Sequence, residues 1–317
     1  LHTFTAGGNF NLSSLNLNTR LGATLSSAIT GTGDLTYNGP GTLTLSNAST
    51  FAGSTMVTAG TLQLGGNDRL PTTQPITVSG GSLNLGGFAQ SAGQVTLTGG
   101  TITGGSLSGT AFSLQAGSMA AALGGVGTLT KSGVGTVTLT AATTHAGGTQ
   151  VTAGTLVLGS GGSLPSAGAV DVSAGLLDFG GSTATVGAVT LTGGEIANGT
   201  LNAQSIAAEA GTLTATLSGS GTLTKSTSGT LVLGGNNASR SGATVVTGGT
   251  LVVPSAAVLG SGSLSVGNAT LDFGTRISAA NDVVLTGDAA TTILRGGNVV
   301  VEYLIVGGGG GGGGTTA

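Results

Sequence analysis

The sequence predicts an all-β protein, a right-handed parallel β-helix (β-solenoid) built from three repeat units of about 94 residues. Three observations lead to this fold class: a long internal repeat, short segments in which apolar residues alternate with threonine, and glycine-rich turns between them. The chain has 317 residues, of which 65 are glycine, and charged residues make up only 5%. An ordinary globular domain carries about 25% charged residues. The composition therefore favours many short strands joined by turns of small residues.

The repeat is clearest in three stretches that begin at Gly41, Gly135 and Gly229. They read GTLTLSNASTFAGSTMVTAGTLQL, GTVTLTAATTHAGGTQVTAGTLVL and GTLVLGGNNASRSGATVVTGGTLVV. Their starts are separated by two equal intervals of 94 residues, and Lys131 and Lys225 keep the same interval. The third copy has one extra residue near Arg240. Each copy alternates apolar residues with threonine and has glycine at its corners, which is typical of strand–turn–strand structure.

The repeat divides the chain into a β-solenoid over residues 1–298 and a C-terminal segment over residues 299–317. The solenoid consists of an N-terminal part-unit and three repeats, at residues 1–30, 31–124, 125–218 and 219–298. The segment 299–317 contains an apolar strand and then eight glycines, which form a junction, a polyglycine structure or a flexible linker. The first residue is Leu1 rather than Met, with no signal-like segment, so we expect a trimmed or processed part of a longer product.

Each unit contains about nine or ten short strand patterns, too many for one layer of a sandwich. A parallel solenoid accommodates them, because each coil of roughly 20 residues stacks on the previous one. At about 4.8 Å between stacked strands, the chain would form a rod of about 70 Å. A twisted β-sandwich is the alternative fold.

The pattern GTLxLxxxxxFxGxTxVxAGTLxLG, present from Gly41 to Gly65, resembles the autotransporter-associated β-strand repeat, also called the passenger-associated transport repeat. The copy from Gly135 is similar but has His145 at the position of the aromatic Phe51, and the third copy has Arg240 near that position. The resemblance implies a large secreted bacterial β-helix that is adhesive or structural, without catalytic residues in the repeat. It also implies a bacterial cell-surface or extracellular location.

Both ends of the chain resemble a glycine-rich bacterial module. LHTFTAGGNF at the start and VEYLIVGGGGGGGG near the end are similar to its two halves, which lie close together in that module. Either a solenoid separates two paired strands, or the C-terminal strand of one subunit pairs with the N-terminal strand of the next. The opening segment also echoes the back half of a unit, which favours the second interpretation. An exposed apolar strand at a chain end is suited to pairing with a partner strand.

Few residues are candidates for chemistry. Asp178 and Asp272 are one repeat apart, and Asn84 occupies their position in the first unit, which indicates turn capping rather than catalysis. Their separation by several coils also prevents joint action on one bond. His2 and His145 are isolated and are expected at the surface, and Lys131 and Lys225 are expected to keep a neutral face soluble. We therefore expect no enzyme activity and no catalytic site.

The sequence also argues against several partners. Seven scattered Lys and Arg residues form no basic track for nucleic acid, no run of about 18 apolar residues could span a membrane, and the absence of cysteine leaves out thiolate sites. We expect no cofactor and no metal, although Asp68, Glu195 or Asp288 could bind a stray cation. Paired threonines at Thr42/Thr44, Thr96/Thr98 and Thr136/Thr138 have the spacing of an ice-binding face, but they do not recur on every coil.

The favoured function is a structural subunit of an extracellular bacterial fibre that assembles head to tail through its terminal strands. The alternative is a non-catalytic stalk or passenger segment of a large surface adhesin, with cell-surface or matrix glycans as possible partners. The predicted subunit junction consists of Leu1, Phe4, Phe10, Leu12, Val299, Val301, Tyr303, Leu304, Ile305, Val306, Gly307 and Gly314.

Overall fold

The computed structural model describes the backbone of residues 2–4, 10–12, 15–18, 20–254, 259–273, 283–285 and 293–295. Side chains are described for residues 16–18, 20–254 and 259–273. Within these residues the chain forms strands, turns and bends, and no helix there could cross a membrane.

The described residues form 34 strands, most of which are three or four residues long. In chain order they are β1 His2–Phe4, β2 Phe10–Leu12, β3 Leu15–Leu17, β4 Ala23–Leu25, β5 Ile29–Gly31, β6 Leu35–Tyr37, β7 Thr42–Leu45, β8 Thr55–Val57, β9 Thr61–Leu64, β10 Ile76–Val78, β11 Ser82–Ser91, β12 Gln94–Leu97, β13 Thr101–Ser108, β14 Ala111–Leu114, β15 Gly117–Gly124, β16 Thr128–Lys131, β17 Thr136–Leu139, β18 Thr149–Val151, β19 Thr155–Leu158, β20 Val170–Val172, β21 Leu176–Asp178, β22 Thr183–Leu191, β23 Glu195–Ala197, β24 Thr200–Ala208, β25 Gly211–Leu213, β26 Thr216–Ser218, β27 Thr222–Lys225, β28 Thr230–Leu233, β29 Thr244–Val246, β30 Thr250–Val253, β31 Leu264–Val266, β32 Thr270–Phe273, β33 Val283–Leu285 and β34 Ile293–Arg295.

Two long parallel sheets run the length of the described chain. The first sheet has the order β1-β4-β7-β9-β11-β13-β15-β17-β19-β21-β23-β25-β28-β30-β32-β34. The second runs β3-β6-β8-β10-β12-β14-β16-β18-β20-β22-β24-β27-β29-β31-β33, with β26 also paired to β24, and β2 pairs with β5 in a small third sheet. Each strand pairs with strands of the neighbouring coils, which confirms the predicted all-β parallel solenoid and excludes the sandwich.

The core is a stack of aliphatic side chains between the two sheets. Alternate residues of each strand point inward, so that Leu43, Leu62, Leu83, Ile102 and Met119 lie in one in-register column and all are buried. Burial of about 1.5–3 kcal/mol per large aliphatic side chain is the main stabilising contribution of such a column. Threonine takes many of the outward positions, where its branched side chain suits a pleated surface.

One 94-residue unit corresponds to five coils. In the second sheet, the inward column passes from Tyr37 through four apolar residues to Lys131, and five coils later it reaches Lys225. At about 4.8 Å per coil, each unit adds about 24 Å, and the fifteen intervals of the first sheet span about 72 Å. This length agrees with the rod predicted from the sequence.

A glycine near the end of each motif allows neighbouring coils to stack closely. Gly60, Gly154 and Gly249 have φ values of 59°, 63° and 66°, which favour glycine. A Cβ atom added at Gly154 would lie 2.4 Å from the carbonyl oxygen of Gly133, one coil away. The repeated glycine is therefore required both by the turn conformation and by the distance between coils.

Candidate functional site

The predicted subunit junction lies almost entirely outside the described residues. Only the backbones of Phe4, Phe10 and Leu12 are described, in β1 and β2, where Phe4 pairs with Leu25 and Phe10 with Ile29. The other junction residues, Leu1, Val299, Val301, Tyr303, Leu304, Ile305, Val306, Gly307 and Gly314, lie outside the described part of the chain. The junction therefore stays a prediction, as do the boundaries of the units and of the C-terminal segment.

The two candidate carboxylates are far apart on the first sheet. Asp178 is in β21 and Asp272 in β32, five strands further along the sheet, which corresponds to about 24 Å. Paired carboxylates in glycosidases are about 5–9.5 Å apart. Asp178 instead accepts hydrogen bonds from the backbone N–H of Gly180 (2.7 Å) and from Asn198 (3.0 Å). Asn84 makes the same turn-closing contact with Gly86 in the first unit (2.9 Å).

Lys131 and Lys225 are inside the solenoid, so the prediction that they keep a surface soluble was wrong. Their exposed fractions are 0% and 1%. The Lys131 ammonium donates to the carbonyl oxygens of Ser132 (3.0 Å), Gly133 (2.8 Å) and Ala153 (2.9 Å). Three acceptors match the three N–H donors of an ammonium group. Backbone carbonyl oxygens at the turns therefore accept all three hydrogen bonds of the buried ammonium group.

Lys225 has a similar environment with one added carboxylate nearby. Its ammonium donates to the carbonyl oxygens of Thr227 and Gly248. Burial lowers the pKa of Lys131, and it also lowers that of Lys225, where the charge of Glu209 opposes the effect. In each case the lowered pKa reflects the loss of hydration around a buried charge.

Glu209 caps the turn after Lys225. It accepts hydrogen bonds from the backbone N–H groups of Ser226 (2.8 Å) and Thr227 (2.7 Å) and from the Ser226 hydroxyl (2.7 Å). Burial by itself would raise the pKa of Glu209, but these hydrogen bonds hold it at about 2. Gln115 is the corresponding residue of the first unit, so of these two units only the second carries the carboxylate.

His145 is buried, which corrects the expectation that it lies at the surface. Its exposed fraction is 0%, and Phe51 of the first unit and Arg240 of the third are 1% exposed in equivalent turns. His145 Nε2 lies 3.1 Å from the carbonyl oxygen of Gly148 and 3.2 Å from the Thr149 hydroxyl. Because a carbonyl only accepts, Nε2 carries the proton, and Nδ1, which has no hydrogen-bond partner among the described residues, is unprotonated. Burial lowers the pKa of His145, with the Gly148 contact opposing, so a neutral ring is favoured.

Arg240 fills the equivalent turn of the third unit with a buried guanidinium. It donates to the Thr244 hydroxyl (2.9 Å) and to the carbonyl oxygens of Leu259 (3.3 Å) and Gly221 (3.3 Å). Nε has no partner within the described residues. Burial lowers the pKa of Arg240 to about 10. The three units therefore place an aromatic, an imidazole and a guanidinium at one structural position.

The other candidates from the sequence have structural contacts or lie outside. Asp68 accepts a hydrogen bond from the Ser91 N–H (2.7 Å), Glu195 accepts one from the Thr214 hydroxyl (3.0 Å), and Asp288 lies outside the described residues. Within the described part of the chain, no three His, Asp or Glu side chains are grouped so that they could hold a metal ion.

The threonine pairs do not continue from coil to coil. Thr42 and Thr44 face outward on β7, but the next strands place Gln63 and then Asn84 in register with Thr44. A regular lattice of paired hydroxyls is therefore interrupted after one coil.

Comparison with known proteins identifies the repeat. Residues 35–64, 129–158 and 223–253 match the family model described as the passenger-associated-transport-repeat. The chain therefore carries three copies of this repeat, which confirms the resemblance found at Gly41–Gly65. The resemblance of the chain ends to a glycine-rich module stays a prediction. The matched segments include Lys131 and Lys225. They also include the buried turn position (Phe51, His145 and Arg240) and the glycine near the end of each motif (Gly60, Gly154 and Gly249).

A curated relative is an adhesin. The chain is 31% identical over 162 residues to a protein of Brucella suis biovar 1 (strain 1330) named "Adhesin BmaC autotransporter". The match covers 48% of this chain and 5% of the relative, so the chain spans a small part of that protein. No solved structure matches the chain.

Proposed function

We propose that this chain is a non-catalytic, length-giving segment of a large bacterial surface adhesin. The observation that supports this most directly is the unbroken pairing of strands along both sheets, from the first described strand to the last. Repeating five-coil units extend a rod by a fixed step without adding a new domain. The passenger-associated-transport repeats and the similarity to an autotransporter adhesin support a location at the bacterial surface.

The distribution of charge supports a mechanical function rather than catalysis. The buried Lys131, Lys225 and Arg240 bind backbone carbonyl oxygens, and Asp178 closes a turn. Lys131, Lys225 and Arg240 therefore each join one coil to the next. In a rod under load, such cross-connections between coils resist local opening.

The head-to-tail fibre stays a separate prediction, because its junction falls on residues outside the described structure. Electron microscopy of the purified chain distinguishes the two functions. An adhesin segment is expected to appear as separate rods, in which the stacked coils of the first sheet account for a length of about 72 Å. Long filaments that disappear in a variant ending at Asn298 would instead support the fibre.

An enzymatic function has its own test. The double variant Asp178→Asn and Asp272→Asn introduces the residue already present at Asn84, so folding is expected to be preserved. Products released from a panel of polysaccharides by the purified chain, and lost in the double variant, would overturn the non-catalytic proposal.

A further inference from the structure

A groove on the first unit has a lining unlike that of the second unit. It lies between the segment that joins β7 to β8 and the segment that joins β9 to β10, on neighbouring coils. Its volume is about 390 Å³, within the range of about 300–1,000 Å³ usual for small-ligand sites. Its lining includes Ser49, Thr50, Asp68, Leu70, Thr73 and Gln74.

The walls of the groove are held by hydrogen bonds. The N–H of Ser49 donates to the Arg69 carbonyl (3.1 Å), which ties the two segments together. The buried amide of Gln90 accepts from the N–H of Leu70 and donates to its carbonyl, both at 3.0 Å. The groove is therefore formed before any ligand arrives.

The polar groups that face this groove are available to a ligand. The described structure gives the side chains of Thr50, Thr73 and Gln74 no hydrogen-bond partner. Asp68 uses Oδ1 to accept from Ser91 (2.7 Å), and no second contact is made by Oδ2 in the described residues. Asp68 has φ of 49°, the left-handed conformation that Asn198 and Asn268 also adopt in turns of this chain.

The second unit provides an internal comparison. It keeps the leucine and proline of the loop, as Leu164 and Pro165, but has Gly162, Ala167 and Gly168 where the first unit has Asp68, Thr73 and Gln74. The fold of the coil therefore does not require the carboxylate, hydroxyl and amide. These three polar groups are a specialisation of one copy.

We propose that this groove binds one unit of a neutral saccharide. Sugar hydroxyls donate to carboxylate oxygens and exchange hydrogen bonds with hydroxyl and amide groups, and the apolar face of a sugar ring packs against a partly exposed aliphatic ring such as that of Pro71. No basic side chain lines the groove, so an anionic ligand would face Asp68 without a compensating charge. Phe51 at the floor is 1% exposed and offers no ring face to a cationic ligand. This inference rests on the proposed adhesin function and adds a ligand class to it.

The test uses the full chain and an array of neutral hexoses, N-acetylhexosamines and their oligosaccharides, followed by titration calorimetry with the strongest binder. Asp68→Asn keeps an oxygen for the Ser91 N–H but replaces the free carboxylate oxygen with an amide donor. Loss of a charge-assisted hydrogen bond is expected to weaken binding by about ten-fold or more. Thr73→Ala with Gln74→Ala is expected to weaken it further. Ser166→Ala in the second unit is the matched control and is expected to change nothing.

Three results would overturn the proposal that the groove binds a saccharide: no saccharide bound by the full chain, binding unchanged in Asp68→Asn, or binding equally reduced by Ser166→Ala. Thermal unfolding of each variant verifies that the fold is kept. A cationic peptide that binds through Asp68 when no saccharide does would also contradict the saccharide assignment. Rod length is measured independently, so a failure to bind saccharide would not contradict the proposal that the chain is an adhesin segment.

Discussion

At the scale of single residues, the inward positions of the coils accept polar side chains where the backbone supplies their partners. Lys131 illustrates this, because its aliphatic stem lies in the core while its ammonium reaches three turn carbonyls. An isolated buried charge would cost several kcal/mol. The carbonyl cage reduces this cost, while burial lowers the pKa of the lysine.

Replacing Lys131 with methionine tests that cage. Lys131→Met keeps most of the stem but leaves three carbonyls without their donor, and we expect a loss of about 1–3 kcal/mol in the free energy of unfolding. Thr130→Ala, on the outward face of the same strand, is the control and should change it by less than about 0.5 kcal/mol. Chemical denaturation measures both, and equal effects would contradict the cage.

His145 makes stability depend on pH. Its pKa is lowered in the folded chain, so the unfolded chain binds more protons once the pH falls below about 6.5. The free energy of unfolding should therefore be constant above that pH, as far as this group is concerned, and decrease as the pH falls from about 6.5 toward the lowered pKa. The variant His145→Phe, which introduces the residue found at Phe51, should lose this part of the pH dependence. Unfolding by urea at pH 8, 6.5 and 5 measures the slope.

Glu209 acts in a different pH range. Its pKa of about 2 is below the ordinary value of 4.5, so the stability it provides is present above about 4.5 and is lost as the pH falls toward 2. Glu209→Gln, which introduces the residue found at Gln115, should flatten the dependence in this range only. A Glu209→Gln variant that altered the slope between pH 8 and 5 would contradict the assignment.

At the scale of the coil, the motif glycine sets how closely turns can stack. Gly154→Ala would place a Cβ 2.4 Å from the Gly133 carbonyl oxygen and 2.6 Å from Lys131 Nζ. Gly181 has φ of 80° with nothing within 4 Å of an added Cβ, so Gly181→Ala isolates the cost of the backbone conformation, about 1 kcal/mol. We expect Gly154→Ala to lower the midpoint of urea unfolding clearly more than Gly181→Ala, and equal midpoints would contradict the steric account.

The coil is also where prediction from the sequence succeeded and where it failed. The 94-residue interval and the alternation of apolar residues with threonine predicted the parallel solenoid and its length. The burial of Lys131 was missed because a charged residue was expected at the surface, although its position in the alternating pattern of the strand is an inward one. In TLTK the lysine is two residues after Leu129, so both side chains lie on the same face of β16 and point inward. His145 was missed because its partner Thr149 belongs to the next strand, and no pattern in the turn itself specifies a buried ring.

At the scale of the whole molecule, the chain is a stack of equivalent units whose number determines its length. Since Tyr37, Lys131 and Lys225 occupy one inward column at intervals of five coils, removing one unit should join matching strands. Such stacked repeats contact mainly their neighbours, so stability should change little beyond the lost unit. This property is what a length-giving segment of an adhesin requires.

The most direct test of this account is deletion of residues 125–218, compared with deletion of the half-unit 125–171. Small-angle X-ray scattering and electron microscopy would measure rod length, and thermal unfolding would measure the integrity of the fold. We predict that the first variant folds cooperatively and is shorter by five coils, about 24 Å, while the second, which joins strands out of register, loses cooperative unfolding. A full-unit deletion that fails to fold, or a half-unit deletion that folds equally well, would contradict the account of the chain as a stack of interchangeable five-coil units.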